Sequence, residues 1–227
     1  MASRLSAWRN TLRQKISSSR RTSNASYSTL PLGISLEEET LPYYKPEHYY
    51  TVKVGDVYEA RYQVSGKIGY GAYSTSWLCR NLQCVLSMTF VSNSSSKNPK
   101  MLGENKYKVL KVSTSLPEYP TATDRELKIY EHRAKVNSSH PGQSLIRELY
   151  DSFTIQGPVG KHRCLVLQPM HMTLLEMMRL NPRPFDLPLL KMTVQRLLLA
   201  LDFLHTDAEI IHTGIQPCHS IARTTRF

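Results

Sequence analysis

The feature that most constrains the fold is a pair of glycines between two stretches of strand character. Residues 62–68 alternate, with apolar side chains at even spacing, as on one face of a β-strand. Residues 74–79 follow as a second strand, so Gly69 and Gly71 are expected to form a flexible turn between them. The pattern therefore predicts a β-hairpin.

Further segments continue the alternation of strands and helices. Strands are predicted at residues 107–112, 149–155 and 164–167, and helices at residues 123–135, 173–179 and 187–205. The last helix is apolar on nearly all sides, which is typical of a fully buried helix. Residues 84–105 begin apolar and then become rich in serine and asparagine, so we expect an inserted loop there.

The net charge of the chain is +11, and its distribution is uneven. Residues 1–36 carry six basic side chains and no acidic one. The remainder is only mildly basic, which does not by itself predict nucleic-acid binding. The chain has 227 residues and 41% hydrophobic residues, enough for a real core. No apolar run reaches the roughly 18 residues of a membrane span.

The basic leader has helical periodicity. Leu5, Trp8, Leu12 and Ile16 recur at helical spacing with arginines between them, and a Ser/Arg-rich stretch follows. This composition is typical of a mitochondrial transit peptide. The alternative is a disordered basic tail, and a third interpretation is an arm that binds nucleic acid. Residues 30–50, rich in Pro and Tyr, are expected to form an extended linker. The four cysteines form no C-x-x-C pair, so no zinc site or disulfide framework is predicted.

Three groups of residues could bind a nucleotide. The glycines of the hairpin could let backbone N–H groups approach phosphates, but an ordinary hairpin turn would also use them, and on these residues alone that interpretation is favoured. No helix follows them, which disfavours a Rossmann fingerprint. Val109 and Lys111 share one face of a strand and could contact a base and a phosphate, the alternative being a solvated lysine. Glu126 could pair with Lys111, or Thr123 and Glu126 could form a capping box.

Taken together, the order of these elements resembles the amino-terminal lobe of a eukaryotic protein kinase. The stretches Gly55-Asp56-Val57, Arg61-Tyr62, Gly69-Tyr70-Gly71, Ser74-Thr75-Ser76-Trp77-Leu78 and Leu201-Asp202-Phe203-Leu204-His205 resemble the SR-protein-specific kinases and their fungal relatives. The resemblance implies an α+β fold: a kinase-like lobe of five antiparallel strands plus one helix, then the first helices of the second lobe. The implied domains are a leader (1–41), the N-lobe (42–170) and an incomplete C-lobe (171–227).

The resemblance also implies a set of nucleotide-binding residues. Lys111, paired with Glu126, would contact the α/β-phosphates of ATP. The other positions are the loop residues Gly69, Gly71 and Ser74, the adenine contacts Ile68 and Val109, the gatekeeper Leu167 and the hinge from Gln168 to Met170. Ser76 stands where the family has an apolar adenine contact. Magnesium and Arg/Ser-rich protein substrates are implied as well, with no direct nucleic-acid partner and a cytoplasmic or nuclear location.

The catalytic loop departs from the family pattern. Gly214 stands at the position of the catalytic aspartate, and His219 stands at that of the metal-binding asparagine. Imidazole suits magnesium poorly, because that ion prefers oxygen ligands. No D-F-G follows before Phe227, so we expect a catalytically inactive fragment with no intact catalytic or metal residue. The alternatives are a non-catalytic nucleotide- or partner-binding pseudokinase module, and a product without a stable fold.

Overall fold

A computed structural model describes residues 33–83, 106–116, 124–180, 185–215 and 221–222. The chain divides into two units between Leu36 and Glu37, and the fold below is that of the second. The inserted loop predicted at residues 84–105 lies outside the described residues, as do His219 and most of the basic leader. The domain boundaries after residues 41 and 170 stay predictions.

Within the described residues, the main sheet has six strands, all antiparallel, in the order β1-β2-β3-β4-β6-β5. The strands are β1 (Val57–Tyr58), β2 (Tyr62–Gly71), β3 (Ser74–Asn81), β4 (Tyr107–Ser113), β5 (Leu149–Gln156) and β6 (Lys161–Leu167). The five strands β2–β6 confirm the prediction, whereas β1 is additional. Gly55 adopts a φ of +97° and donates its N–H to the Val64 carbonyl, so the chain turns back there and pairs with β2.

The described helices are α1 (Arg125–Lys135), α2 (Leu174–Leu180) and α3 (Leu187–Thr206), close to the predicted bounds. Short 3₁₀ turns lie at Glu37–Thr40, Pro46–His48 and Pro141–Leu145. The first two lie within residues 30–50. The prediction of an extended linker there is therefore partly wrong. A second, two-stranded sheet pairs β7 (Met172–Thr173) with β8 (Ile221–Ala222).

The core of the main sheet lies on both of its faces. Residues of β3 alternate between buried and half-buried along the strand, as the two faces of a pleated sheet require. On one face the buried residues are Val52, Tyr62, Val64, Trp77, Cys79, Leu110, Val112, Cys164 and Val166. On the other, α1 packs through Leu127 onto Val109, Leu165 and Leu167. The helix thus covers the face of β4 that carries Lys111.

The side chain of Ile68 does not share the buried face of β2 with Tyr62 and Val64, although the even spacing of these residues predicted that it would. Tyr62 and Val64 are buried, but the side chain of Ile68 is 54% exposed. The pairing of β2 with β3 shifts register between Val64 and Gly66, and again between Lys67 and Gly69. Each shift changes which residues oppose each other, so the alternation that holds up to Val64 does not extend to Ile68.

Helix α3 is less buried than its apolar composition predicts. In the part of the chain that the structure describes, only Phe203 and Leu204 of this helix are buried. Both pack with Ala208 against Val136 and Ile146, before β5. Five apolar side chains of the helix are exposed: Leu187, Leu190, Met192, Val194 and Leu198. No helix in the described segments is long and apolar enough to cross a membrane.

Candidate functional site

The glycines of the hairpin lie in a strand and not in its turn. Gly69 pairs with Ser76 and Gly71 with Ser74, and the turn itself is formed by Ala72 and Tyr73. The turn therefore follows the glycines, whereas the sequence predicted it at Gly69 and Gly71 themselves. Since glycine has no side chain, the edge of the hairpin formed by Gly69 and Gly71 (the glycine edge) presents its backbone without side chains of its own.

Lys111 occupies the same row of the sheet as one of these glycines. Ser76 is opposite Gly69 on one side and opposite Lys111 on the other. Neighbouring strands lie about 4.8 Å apart, so Lys111 is roughly 10 Å from Gly69 across the sheet. Partners that lie opposite each other share a face, so the side chains of Ser76 and Lys111 lie on the same face of the sheet.

A carboxylate from α1 holds the ammonium of Lys111. Glu126 Oε2 lies 2.5 Å from Lys111 Nζ, which confirms the ion pair expected within about 4 Å. Thr123, the partner in a capping box, lies outside the described residues. Asp124, at the N-cap position, makes no capping bond and accepts from Arg163 Nε at 2.9 Å instead.

The Lys111–Glu126 pair is partly solvated. The two side chains are 30% and 39% exposed, and pairs of this kind contribute only about 0–1 kcal/mol to stability. Its main physical effect is therefore positional. The ion pair holds a long, flexible lysine side chain at one point on the face of β4 that α1 covers, and an anion could bind its ammonium there.

The residues predicted to contact adenine are not equally placed. Val109 and Leu167 are register partners on β4 and β6, and both are almost fully buried beneath α1. Ile68, in contrast, is exposed on β2. The structure brings Val109, Leu167 and Lys111 together on one face, and a contact of these residues with a base stays a prediction.

The hinge is anchored by a residue that the sequence analysis missed. The Gln168 N–H donates to the Glu148 carbonyl at 3.0 Å, and Arg147 Nε donates to the Gln168 carbonyl at 2.9 Å. Both main-chain groups of this hinge residue therefore face the segment before β5. No motif marks Arg147, since its role arises only from the pairing of β5 with β6. Met170 is half-buried two residues further along.

An acidic segment binds the hairpin from its amino-terminal side. Lys67 on β2 forms ion pairs with Glu37, at 2.5 Å, and with Glu38. Burial acts to lower the pKa of the Lys67 ammonium, but its hydrogen bonds to the two carboxylates outweigh this effect and raise the pKa above the ordinary value. The sequence analysis gave no role to Lys67, because the acidic run is distant along the chain.

The catalytic-loop position offers no side chain for acid–base chemistry. Gly214 is exposed, and its N–H donates to His212 Nδ1 at 3.3 Å. Among the described residues, no three or more His, Cys, Asp or Glu side chains are grouped so as to hold a metal ion. Of the sequence-predicted phosphate contacts, the structure thus shows one cation in place, the Lys111 ammonium paired with Glu126.

Comparison with known proteins identifies relatives among protein kinases. A serine/threonine protein kinase of Aspergillus fumigatus is 36% identical over 202 residues, covering 88% of this chain and 45% of that protein. SRSF protein kinase 3 of Homo sapiens is 33% identical over 188 residues, covering 82% of this chain and 30% of that protein. No protein-family model matches.

A solved structure supports the same relationship at the level of the fold. The crystal structure of a kinase domain matches 78% of this chain and 44% of its own length, with a TM-score of 0.58 and 20% identity. The chain spans less than half the length of the curated relatives it matches. The fold and these similarities confirm that the chain is a homologue of eukaryotic serine/threonine protein kinases, resembling the SR-protein-specific kinases and their fungal relatives.

Proposed function

We propose that this chain binds ATP between the glycine edge of the β2–β3 hairpin and the hinge, and that it does not transfer phosphate. The observation that carries the proposal is the Lys111–Glu126 ion pair, with Nζ and Oε2 2.5 Å apart. It lies in the same row of the sheet as Gly69. An ammonium fixed on the strand next to a glycine-containing hairpin suits a polyphosphate, which binds cations and N–H donors.

The loss of phosphate transfer follows from position 214. A carboxylate there would orient the hydroxyl of the substrate and accept its proton, and glycine has no acceptor to offer. General base catalysis contributes roughly 10²–10⁴-fold to the rates of enzymes that use it. Among the described residues, no group of three or more His, Cys, Asp or Glu side chains could hold a metal ion, and such an ion would stabilise the transferring phosphoryl group.

The names of the related kinases indicate the class of protein that they phosphorylate. Two of them are named as SRSF protein kinase 3 and as the kinase SRPK of Physarum polycephalum. The protein partner that we propose for this chain is accordingly an Arg/Ser-rich protein. In the absence of transfer, such a protein would be bound without being modified.

Nucleotide binding by the full-length chain tests the proposal directly. A fluorescent ATP analogue would be titrated into the wild type, Lys111→Ala and Glu126→Gln. We expect Lys111→Ala to weaken binding about tenfold or more, because a charge-assisted bond contributes about 1.5–3 kcal/mol. The matched control is Lys128→Ala, an exposed lysine of α1, which should leave the affinity unchanged. Equal affinities of all variants would contradict the proposal.

A second assay separates the inactive protein from an active kinase. The purified chain would be incubated with labelled ATP, magnesium and an Arg/Ser-rich peptide, beside the Lys111→Ala variant. We expect no incorporation above the level of that variant. Incorporation that depends on Lys111 would show an active kinase. A stable protein that binds the peptide but no nucleotide would instead indicate a partner-binding module.

A further inference from the structure

A row of exposed apolar side chains runs along one side of α3. Its members are between 43% and 61% exposed and follow one another at intervals of three or four residues: Leu187, Leu190, Val194 and Leu198. A helix has 3.6 residues per turn, so this spacing aligns them in one stripe. The half-buried Leu201 extends the stripe towards the end of the helix. Exposed apolar surface that is continuous in this way is typical of an association site.

Two opposite charges lie on the same flank of this apolar stripe. Lys191 and Asp202 are both exposed, and the eleven residues between them make about three turns of helix. The ammonium lies beside the first half of the stripe and the carboxylate beside its end. Asp202 Oδ2 lies 3.2 Å from His140 Nε2, and a carboxylate can accept further bonds through its second oxygen.

The stripe and its flanking charges are complementary to a second copy of themselves. If two α3 helices pack antiparallel about a two-fold axis near residue 196, Val194 of each copy faces Leu198 of the other. Leu190 then faces Leu201, and Lys191 lies within one residue of Asp202 of the second copy. A two-fold axis keeps the same flank of both helices on one side, so this ion pair forms twice. A parallel arrangement would instead set Lys191 against Lys191.

We propose that the apolar stripe of α3 joins two copies of this chain in an antiparallel, two-fold symmetric dimer. The occupant is a second copy because the charges on the flank match only in that pairing. The stripe is about 20 Å long and one helix wide, which is small beside the roughly 800 Å² per partner of a standard interface. We therefore expect a dissociation constant in the micromolar range. The dimer goes beyond nucleotide binding and does not depend on it, since Lys111 lies on β4.

The test is the mass of the full-length chain in sedimentation experiments from about 1 to 100 µM, the range in which such an interface would associate. We expect the wild type to pass from monomer to dimer. Val194→Glu buries a carboxylate twice at the centre of the interface and should weaken association at least about tenfold. The matched control is Met192→Glu, because Met192 is similarly exposed, at 39%, but points to another side of the helix. It should associate as the wild type does.

Exchange of the two flanking charges tests the antiparallel orientation. Lys191→Glu should weaken the dimer by about fivefold, because two surface pairs become repulsive. Adding Asp202→Lys to this variant should restore the wild-type association. A wild type that stays monomeric at 100 µM overturns the proposal, as does association into species larger than dimers or an equal effect of Val194→Glu and Met192→Glu. The wild-type mass decides the matter even if a variant does not fold, and the affinity for the ATP analogue is measured separately.

Discussion

The phenol of Tyr49 donates to the carbonyl oxygen of Gly71, 3.1 Å away, and thereby ties the segment before the sheet to the end of β2. The same hydroxyl lies 3.1 Å from the Ala72 carbonyl, at the turn of the hairpin. A single hydroxyl therefore holds both the last glycine of β2 and the turn that follows it. The stiffness of the glycine edge depends on a residue 22 positions upstream in the chain.

Removing that hydroxyl should loosen the hairpin turn. In Tyr49→Phe we expect amide exchange in residues 69–74 to become about fivefold faster, because one hydrogen bond contributes about 1 kcal/mol. Hydrogen–deuterium exchange followed by mass spectrometry measures this. Tyr43→Phe is the control, since the side chain of Tyr43 is 96% exposed. The same exchange rates in both variants would count against the tie.

Gly142 marks a close approach of the 3₁₀ turn at Pro141–Leu145 to α3. A β-carbon at this position would overlap the Leu199 carbonyl oxygen and lie 2.8 Å from the β-carbon of Phe203. A main-chain oxygen within a helix cannot move aside easily, so Gly142→Ala should lower the free energy of unfolding by about 1–3 kcal/mol. Urea unfolding measures the loss.

The control for this substitution is Gly66→Ala. A β-carbon at Gly66 would meet no atom within 4 Å, and its backbone conformation is open to alanine. We expect a change within about 0.5 kcal/mol there. If the two alanine variants have the same stability, α3 and the turn are not packed as closely as described.

Alkaline pH should destabilise the sheet through two buried thiols. Burial raises the pKa of Cys79 and of Cys164 from 9.0 to about 12. Between pH 9 and 12 the unfolded chain loses these protons while the folded chain keeps them, so the free energy of unfolding falls as pH rises. The slope is about 1.4 kcal/mol per pH unit for each thiol. Below pH 9 both states are protonated, and the thiols cause no change.

Urea unfolding at pH 8, 9, 10 and 10.5 checks this dependence. Cys79→Ala removes one of the two groups and should reduce their contribution to the slope by about half. The buried Tyr62, whose pKa is raised by burial and by its hydrogen bond to Asp151, adds to the slope only above pH 10. A stability that does not change between pH 9 and 10 would disprove the role of the thiols.

Restoring a carboxylate at the catalytic-loop position should not restore activity. A β-carbon at Gly214 would meet no atom within 4 Å, so Gly214→Asp is expected to fold with unchanged stability. Phosphoryl transfer needs the base and the metal ligands together, and the described residues contain no cluster of three or more His, Cys, Asp or Glu side chains that could hold a metal ion. Thermal unfolding and labelled-ATP incorporation are the measurements. Lys111-dependent incorporation by Gly214→Asp would show that the base alone was missing.

The sequence predicted the parts of the fold that are encoded locally. Strands β2–β6 and the three helices follow from periodicity, and the Lys111–Glu126 pair was implied by the resemblance to protein kinases. Local patterns did not predict β1 or the two 3₁₀ turns before it, because short elements have little periodicity of their own. Ile68 was assigned to the wrong face, because a register shift is a property of two strands and not of one.

The contacts that the sequence analysis missed join segments distant along the chain. Lys67 meets Glu38, and Arg147 meets Gln168, only after the sheet has formed. Neither pair has a spacing that marks it. The burial of α3 was overestimated for a related reason, since its composition states how much apolar surface it has but not what lies against that surface.

The order of the strands in the sheet affects which parts of the sheet can form first. The β2–β3 hairpin is closed by a two-residue turn, so it can form early and locally. Strand β4, which carries Lys111, pairs on one side with that hairpin and on the other side with β6. During synthesis β6 is complete only once Leu167 has been added to the chain. The lysine is therefore flanked by strands on both sides only after most of the sheet has been synthesised, and the proposed phosphate site matures later than the hairpin that borders it.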